Sequence, residues 1–144
     1  MKKKARNLKR KVFFNASVIL AGLKSPKGGS AKLLKWVKQR KIQAFVSEIV
    51  IDEVERNLSK LNLKKREFEK TRGHFQILPS PPYLSEKYFK IAKDKGDIHL
   101  FTSAQMIGAE FLVSLDKRHV LSLANKIKDF KIFSPGELIE KISL

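Results

Sequence analysis

Residues 96–121 read GDIHLFTSAQMIGAEFLVSLDKRHVL. Asp97 opens a stretch with helical periodicity that runs to about Ile107, and a Gly-Ala turn leads from it into an apolar run over residues 111–113. A second acid, Asp116, comes after this short predicted strand. A helix, a tight turn and a short apolar strand in this order are typical of an α/β protein with a parallel sheet.

The rest of the chain repeats this alternation of β-rich runs and helical stretches. Predicted strands cover residues 12–14, 43–46, 75–78, 111–113 and 131–133. Predicted helices cover residues 17–23, 31–41, 47–70, 85–93 and 97–107. A last helix begins at a capping box formed by Ser134 and Glu137, with Pro135 at the first helical position. We therefore predict an α/β fold around a mainly parallel sheet of about five strands.

Length and charge bound the class of protein. The 144 residues suffice for one domain, which we place at residues 11–144 behind a basic N-terminal arm at residues 1–10. Lys and Arg exceed Asp and Glu by 31 to 14, so the formal net charge is +17. Such an excess favours a polyanionic partner, and nucleic acid is the leading interpretation. The alternative is a lysine-rich surface that only keeps the protein from aggregating.

The chain has no cysteine, which excludes disulfides, zinc–thiolate sites and cysteine nucleophiles. This composition fits a reducing interior, and we expect a cytoplasmic protein. The start superficially resembles a secretory signal, but Asn15 and Ser17 interrupt its apolar part. No run approaches the roughly 20 apolar residues that cross a bilayer, so we expect no membrane association.

Four polar residues lie at or just beyond the ends of apolar runs: Asn15, Glu53, Asp97 and Asp116. The carboxyl ends of parallel strands meet at one edge of a sheet, where ligands usually bind. Carboxylates gathered there repel one another unless a cation lies among them. Mg²⁺ or Mn²⁺ with oxygen ligands is the natural occupant, since such an ion also neutralises charge on a scissile phosphate.

Each acid also has a purely structural explanation. Asp97 is a good helix N-cap residue, and Asp116 is suited to begin the turn after the fourth predicted strand. Glu53 is within reach of Arg56 or Lys60 on an exposed helix face. These alternatives remain open from the residues alone.

Other residues offer weaker signals. His99 is about 200° around the helix from Asp97, so we expect it to pack rather than to share a ligand. His119 lies one turn beyond Asp116 and is a minor candidate for phosphate contact, while His74 is expected at the surface. Trp36 is expected in the core, with base stacking as the alternative.

Two pairs of basic residues are candidates for nucleic-acid binding. They come after the first and fourth predicted strands and are Lys24, Lys27, Lys117 and Arg118. The glycines beside Lys27 permit close approach of a backbone, and the loop should border the acidic pocket. The sequence contains no phosphate-binding loop of the nucleotide-binding type and no G-x-S-x-G turn, which argues against nucleotide-cofactor enzymes and acyl hydrolases.

Four stretches together resemble the PIN domain family of metal-dependent ribonucleases, which includes the VapC-like toxins of toxin–antitoxin pairs. They are VFFNASVILAG at 12–22, SEIVIDEVERNL at 47–58, the longer stretch at 96–121, and IFSPGELIE at 132–140. The resemblance implies an α/β/α sandwich. It assigns the family's second, third and fourth acids to Glu53, Asp97 and Asp116, and its first to the position of Asn15.

By this resemblance, Asp97 and Asp116 are ligands of Mg²⁺ or Mn²⁺ for RNA cleavage, and Asn15 is a weakened ligand. Glu53 is expected either to bind the metal or to orient the attacking water. Ser17 and Ser114 are expected to hydrogen-bond the residue at position 15. The implied partners are single-stranded RNA, an antitoxin protein and a second copy of the chain. Because Asn15 is neutral, an RNA-binding module without catalysis is the alternative to an endoribonuclease.

Overall fold

The structure is a computed structural model that describes residues 9–142. It contains one five-stranded sheet in the order β3-β2-β1-β4-β5, and every neighbouring pair is parallel. The strands are β1 (Lys11–Phe14), β2 (Gln43–Ser47), β3 (Gln76–Leu78), β4 (Phe111–Val113) and β5 (Lys131–Phe133). The predicted fold class is confirmed.

The helices are α1 (Ala16–Lys24), α2 (Gly29–Lys38), α3 (Glu48–Leu58), α4 (Lys65–Arg72), α5 (Glu86–Phe89), α6 (Ile98–Met106) and α7 (Pro135–Ile142). Short 3₁₀ turns cover Lys95–Asp97 and Leu121–Leu123. Apart from the predicted helices over residues 47–70 and 85–93, the elements lie where the sequence predicts them, with ends that differ by up to three residues.

The topology creates two layers of helices around the sheet. The chain passes from β1 through β2 to β3 in one direction, then returns across β1 and continues through β4 to β5. Because crossovers between parallel strands are right-handed, the reversal puts the two groups of connections on opposite faces. Helix α1 packs on α2 and α3, α2 also packs on α7, and α5 packs on α6.

The middle of the sheet is apolar on both faces. Val12, Phe13 and Phe14 of β1 are all completely buried, as are Leu112 and Val113 of β4. A strand covered by helices on both sides needs such a continuous apolar run, because neither face meets water. Burial of these two strands fixes the backbone from which the site is built.

The predicted helix over residues 47–70 is wrong in its length. Ser47 caps the helix as expected, since its Oγ accepts a hydrogen bond from the N–H of Val50. The helix then ends because Asn62 adopts a positive φ of 55°, and the N–H of Leu63 donates to the carbonyl of Leu58 at 2.8 Å. A left-handed residue followed by this bond is the Schellman ending of a helix, and asparagine tolerates that backbone well.

The predicted helix over residues 85–93 is also wrong in its length. It is a single turn, α5, held by the buried ring of Tyr88, whose hydroxyl donates to Asp129 at 2.6 Å. The chain then turns, since the N–H groups of Ile91 and Ala92 both donate to the carbonyl of Tyr88, at 3.2 and 2.8 Å.

Helix α7 begins as the sequence predicts. The N–H of Glu137 donates to Ser134 Oγ at 3.3 Å, and the N–H of Ser134 donates to Glu137 Oε1 at 2.8 Å. These reciprocal bonds satisfy two donors that a helix start otherwise leaves unpaired.

The basic arm predicted over residues 1–10 lies largely outside the described residues, which begin at Lys9. Arg10 is already joined to the sheet. Its carbonyl accepts from the N–H of Gln43 at 2.9 Å, and its guanidinium forms two bonds of 2.5 and 2.6 Å to Glu110. Within residues 9–142, no helix is both long and apolar enough to span a bilayer.

Candidate metal centre

The site lies where the order of the sheet reverses. β1 and β4 are adjacent, and the connections that leave them diverge to opposite faces. Asn15 comes directly after β1, while Ser114 and Asp116 come after β4. A crevice opens at such a reversal beyond the carboxyl ends of the strands, and this is the usual ligand position in open α/β sheets.

Asn15 is held by the loop after β4. Its Nδ2 donates to Ser114 Oγ at 2.8 Å, and its backbone N–H donates to the carbonyl of Val113 at 3.0 Å. Because the amide nitrogen faces Ser114, the side chain's carbonyl oxygen is left as its donor atom for a cation. A neutral amide oxygen attracts a cation less strongly than the carboxylate that an aspartate would supply.

The hydroxyls of Ser17 and Ser114 link the segment that follows β1 to the segment that follows β4. Ser114 Oγ accepts from Asn15 and also from the N–H of Asp116 at 3.0 Å, as the resemblance leads us to expect for a partner of position 15. Ser17 has a different partner, since its Oγ accepts from the N–H of Leu115 at 3.1 Å. Both hydroxyls therefore fix the loop that carries Asp116.

Asp97 stands at the start of α6 without performing the capping role considered for it. Its side chain makes no capping hydrogen bond, and within the described residues its Oδ2 is buried with no partner. Burial is the largest cause of a pKa raised to about 6, followed by repulsion from Asp94 and Asp116. His119 opposes this shift, while Glu53 adds to it. An unpaired carboxylate in a negative field is the environment that a cation relieves.

Glu53 lies on α3 and is half-buried. Burial raises the pKa of its carboxyl, and the positive charge of Arg56 opposes the rise. The negative charge of Glu53 also raises the pKa of Asp97, so the two carboxyl groups interact electrostatically.

Asp116 begins a turn, and its charge also acts on Asp97. Its Oδ1 accepts from the N–H of His119 at 2.9 Å, and its backbone carbonyl accepts from the N–H groups of Val120 and Leu121 at 3.2 and 2.8 Å. Its Oδ2 lies 3.5 Å from Nδ1 of His119. The turn considered from the sequence is thus real, and it brings a histidine to the acids.

The tightest group of potential metal ligands among the described residues is Asp94, Asp97 and His119. Each offers one ligand atom, and these atoms lie within 4.8 Å of one another. Sequence reasoning missed Asp94 and gave His119 only a minor role. The available signal was spacing: Asp94 is three residues before Asp97 and His119 three after Asp116, so one tight turn brings each into its neighbour's vicinity.

Comparison with known proteins identifies the fold family. A family model described as PIN domain matches residues 11–118. The chain belongs to the PIN domain family. Its fold is similar to a chain in the crystal structure of VapBC2 from Rickettsia felis bound to a DNA fragment from their promoter, with a TM-score of 0.61 and 14% identity. The likeness covers 86% of this chain and 98% of the other. None of the curated proteins compared matches the chain.

The donors of this PIN domain fit a divalent cation. Asp97 supplies a buried oxygen without a partner among residues 9–142, and Asp94 and His119 have ligand atoms within 4.8 Å of one another and of Asp97. Carboxylate and amide oxygens suit Mg²⁺ and Mn²⁺.

The four basic candidates all lie at the surface of the PIN domain. Lys117 and Arg118 are exposed directly after Asp116. Lys24 ends α1, and Lys27 lies in the loop that leads to Gly29, where an added Cβ would lie 3.5 Å from Pro135 Cβ at the start of α7. Because α7 comes after β5, this loop lies at the carboxyl edge of the sheet, on the β5 side.

The remaining candidates fall outside the site's ligand group. Trp36 is 5% exposed and packs in the core, with Lys32 Nζ 5.8 Å from its ring centre. His74 is exposed, as predicted. His99 is partly buried with an Nδ1 that has no partner among the described residues, and burial lowers its pKa.

Proposed function

We propose that this PIN domain is an endoribonuclease that uses Mg²⁺ or Mn²⁺ to hydrolyse phosphodiester bonds of single-stranded RNA, and that Asn15 impairs its activity. The observation that supports this most strongly is the Oδ2 of Asp97, buried within a field of other acids and unpartnered among the described residues. The net charge of +17 supports a polyanionic substrate.

The three acids have different roles in this proposal. Asp97 and Asp116 hold the cation, and Asn15 contributes its amide oxygen. A bound divalent cation lowers the pKa of water and neutralises charge that develops on the scissile phosphate. Glu53 orients the attacking water and accepts its proton at a carboxylate oxygen, a task suited to a carboxyl whose pKa burial raises.

Substrate contact is assigned to the basic residues at this edge of the sheet. Lys117 and Arg118 adjoin Asp116 in sequence, so they are placed to meet the phosphate next to the scissile one. Lys24 and Lys27 extend the same edge towards β5 and would position the RNA backbone without reading its sequence.

Asn15 is the reason for proposing impaired rather than full activity. Replacing a carboxylate by an amide removes one negative charge from the ligand set while preserving its shape and its bond to Ser114. The cation is then held less tightly. An alternative function is an RNA-binding module without catalysis, which the same residue and the strongly basic surface favour.

The likeness to VapBC2 supports a further element of the proposal. We assign this chain as the toxin component of a toxin–antitoxin pair, with an antitoxin protein as partner and a homodimer as its own assembly. Coexpression with the protein encoded beside it, followed by size-exclusion chromatography, tests this assignment. A single complex supports it, and two separate peaks refute it.

One experiment separates nuclease from binding module. The wild type and Asn15→Asp are incubated with single-stranded RNA, with and without Mn²⁺, and RNA binding is measured against salt concentration. Cleavage that needs Mn²⁺ and increases in Asn15→Asp supports the nuclease. Salt-sensitive binding with no cleavage by either protein supports the binding module. Absence of both refutes the nucleic-acid function.

A further inference from the structure

The cluster of Asp94, Asp97 and His119 differs in chemistry from a purely acidic site. It combines two carboxylates with an imidazole, and the three ligand atoms lie within 4.8 Å of one another. Asp94 and His119 come from different connections, one before α6 and one after β4. Their convergence therefore results from the tertiary fold.

The known contacts of these side chains leave donor atoms available. Asp94 Oδ1 accepts from the N–H of Gly96 at 2.9 Å, which leaves its Oδ2 for another partner. Asp97 Oδ2 is buried without a partner among residues 9–142. His119 turns its Nδ1 towards Asp116 Oδ2 at 3.5 Å, which leaves Nε2 for another partner.

With the cation at His119 Nε2, Asp116 lies behind the ring, so that it positions His119 in place of binding the cation directly as proposed above. Its carboxylate receives the backbone N–H of His119 at one oxygen and faces the ring nitrogen with the other. A carboxylate behind an imidazole fixes the ring's orientation and increases the donor strength of its far nitrogen. This is a common arrangement around histidines that bind metals.

We propose that His119 supplies a nitrogen ligand and Asp94 an additional carboxylate ligand to the cation of this PIN domain, so that the site selects Mn²⁺ over Mg²⁺. The inference rests on the metal-dependent function proposed above. Asp94 compensates for the charge that Asn15 lacks. The imidazole favours Mn²⁺ because Mg²⁺ prefers oxygen ligands, whereas first-row transition metals accept nitrogen readily.

Electron spin-echo spectroscopy of bound Mn²⁺ tests nitrogen ligation without measuring activity. The chain has three histidines, so single substitutions can assign the source of a signal. The variant is His119→Leu, with His119→Asn as a more polar second variant. His74→Leu is the matched control, because it removes an exposed imidazole elsewhere. Circular dichroism establishes that each protein is folded.

The expected result is a ¹⁴N imidazole modulation in the wild type and in His74→Leu that both His119 variants lose. Calorimetric titration should show roughly tenfold weaker Mn²⁺ binding in His119→Leu, with Mg²⁺ binding little changed. Asp94→Asn should weaken the binding of both ions.

Two results would overturn the inference, and only one of them would also overturn the proposed metal-dependent function. Bound Mn²⁺ without a His119-dependent nitrogen signal refutes the ligand assignment but leaves the proposed nuclease intact. Failure of the folded wild type to bind Mn²⁺ at all refutes both this assignment and the metal-dependent function.

Discussion

Asn15 and Asp97 show at the level of single side chains how the site balances charge. Asn15 donates to Ser114 at 2.8 Å, whereas an aspartate there would accept the hydroxyl hydrogen of Ser114 instead. The exchange preserves the contact and changes only its direction and the charge. Asp97, by contrast, retains a buried oxygen without a partner among the described residues. The site thus has one neutral position and one carboxylate in need of a counter-charge.

We predict that Asn15→Asp makes the stability of the protein more dependent on metal. Without a divalent cation the variant should melt below the wild type, because another carboxylate adds repulsion to the field around Asp97. With saturating Mn²⁺ its melting temperature should rise by about 3–6 °C more than that of the wild type. Differential scanning calorimetry measures both values.

The control for this change is Asn125→Asp, which adds the same charge at an exposed position. An equal response to Mn²⁺ in the two variants would show that position 15 has no special relation to the cation.

We predict that Asp97 lowers the stability of the metal-free protein, and that the loss of stability increases as the pH rises. Its pKa is raised to about 6 from an ordinary value of 3.8, so between those values the folded protein binds more protons than the unfolded chain. The free energy of unfolding therefore falls as pH rises through this window. After allowance for solvent screening, the loss should be about 1–2 kcal/mol.

Urea denaturation of the wild type and Asp97→Asn from pH 4 to pH 7 measures this cost. The variant should be the more stable protein at pH 7 and should lose the advantage near pH 4. Parallel pH profiles for the two proteins would contradict the assignment.

Among the helices and strands, three helical segments end in the same left-handed turn. Arg40, Asn62 and Gly108 have positive φ values of 59°, 55° and 68°. In each case the next residue's N–H reaches back five positions, with bonds of 2.9 Å from Lys41, 2.8 Å from Leu63 and 3.0 Å from Ala109. The bonds satisfy carbonyls that a helix end leaves free. Two of these turns lead directly towards strands of the sheet.

We predict that Gly108→Ala destabilises the protein by about 1 kcal/mol, because an L side chain adopts this left-handed backbone reluctantly. An added Cβ at Gly108 would meet no atom within 4 Å, so the cost is conformational alone. Gly136→Ala is the matched control, since its Cβ would also be in open space but its φ lies outside the left-handed range. Equal midpoints of urea unfolding for the two variants would refute this explanation.

These helix endings explain why some elements were predictable from the sequence and others were not. Apolar runs and the capping box of Ser134 and Glu137 are local signals, so all five strands and the start of α7 were predictable. The break at Asn62 was missed because its flanking residues continue a helical pattern and only the backbone angle reveals the turn. Asp94 and His119 were missed as a pair because tertiary folding alone brings them together.

The molecule as a whole is strongly basic, yet its fold gathers acidic residues at one site. The chain carries a net charge of +17, while acids gather at the reversal between β1 and β4. The net positive charge attracts a polyanion, whereas the acids repel it unless a cation lies among them. The RNA binding and the catalysis proposed above should therefore respond to different ions.

We predict that the carboxyl edge of the sheet accounts for much of the salt dependence of RNA binding. Replacement of Lys24, Lys27, Lys117 and Arg118 by Gln should flatten the slope of log K against log salt by roughly 0.7 for each phosphate that the variant no longer neutralises. A charge-matched control replaces four exposed residues next to the amino ends of strands, namely Lys38, Arg40, Lys41 and Lys131. Filter binding from 50 to about 300 mM salt covers a suitable range. Equal slopes for the two quadruple variants would show that the carboxyl edge contributes no more to RNA binding than the rest of the basic surface.

The roles proposed for the acids all require that one divalent cation binds at Asp97 in the crevice between β1 and β4. Anomalous X-ray diffraction from crystals grown with Mn²⁺ locates such an ion without reference to activity. We expect one strong manganese peak within bonding distance of Asp97 Oδ2, and its loss in Asp97→Asn. A well-ordered crevice without such a peak at saturating Mn²⁺, or a peak that survives Asp97→Asn, would show that Asp97 does not bind the cation.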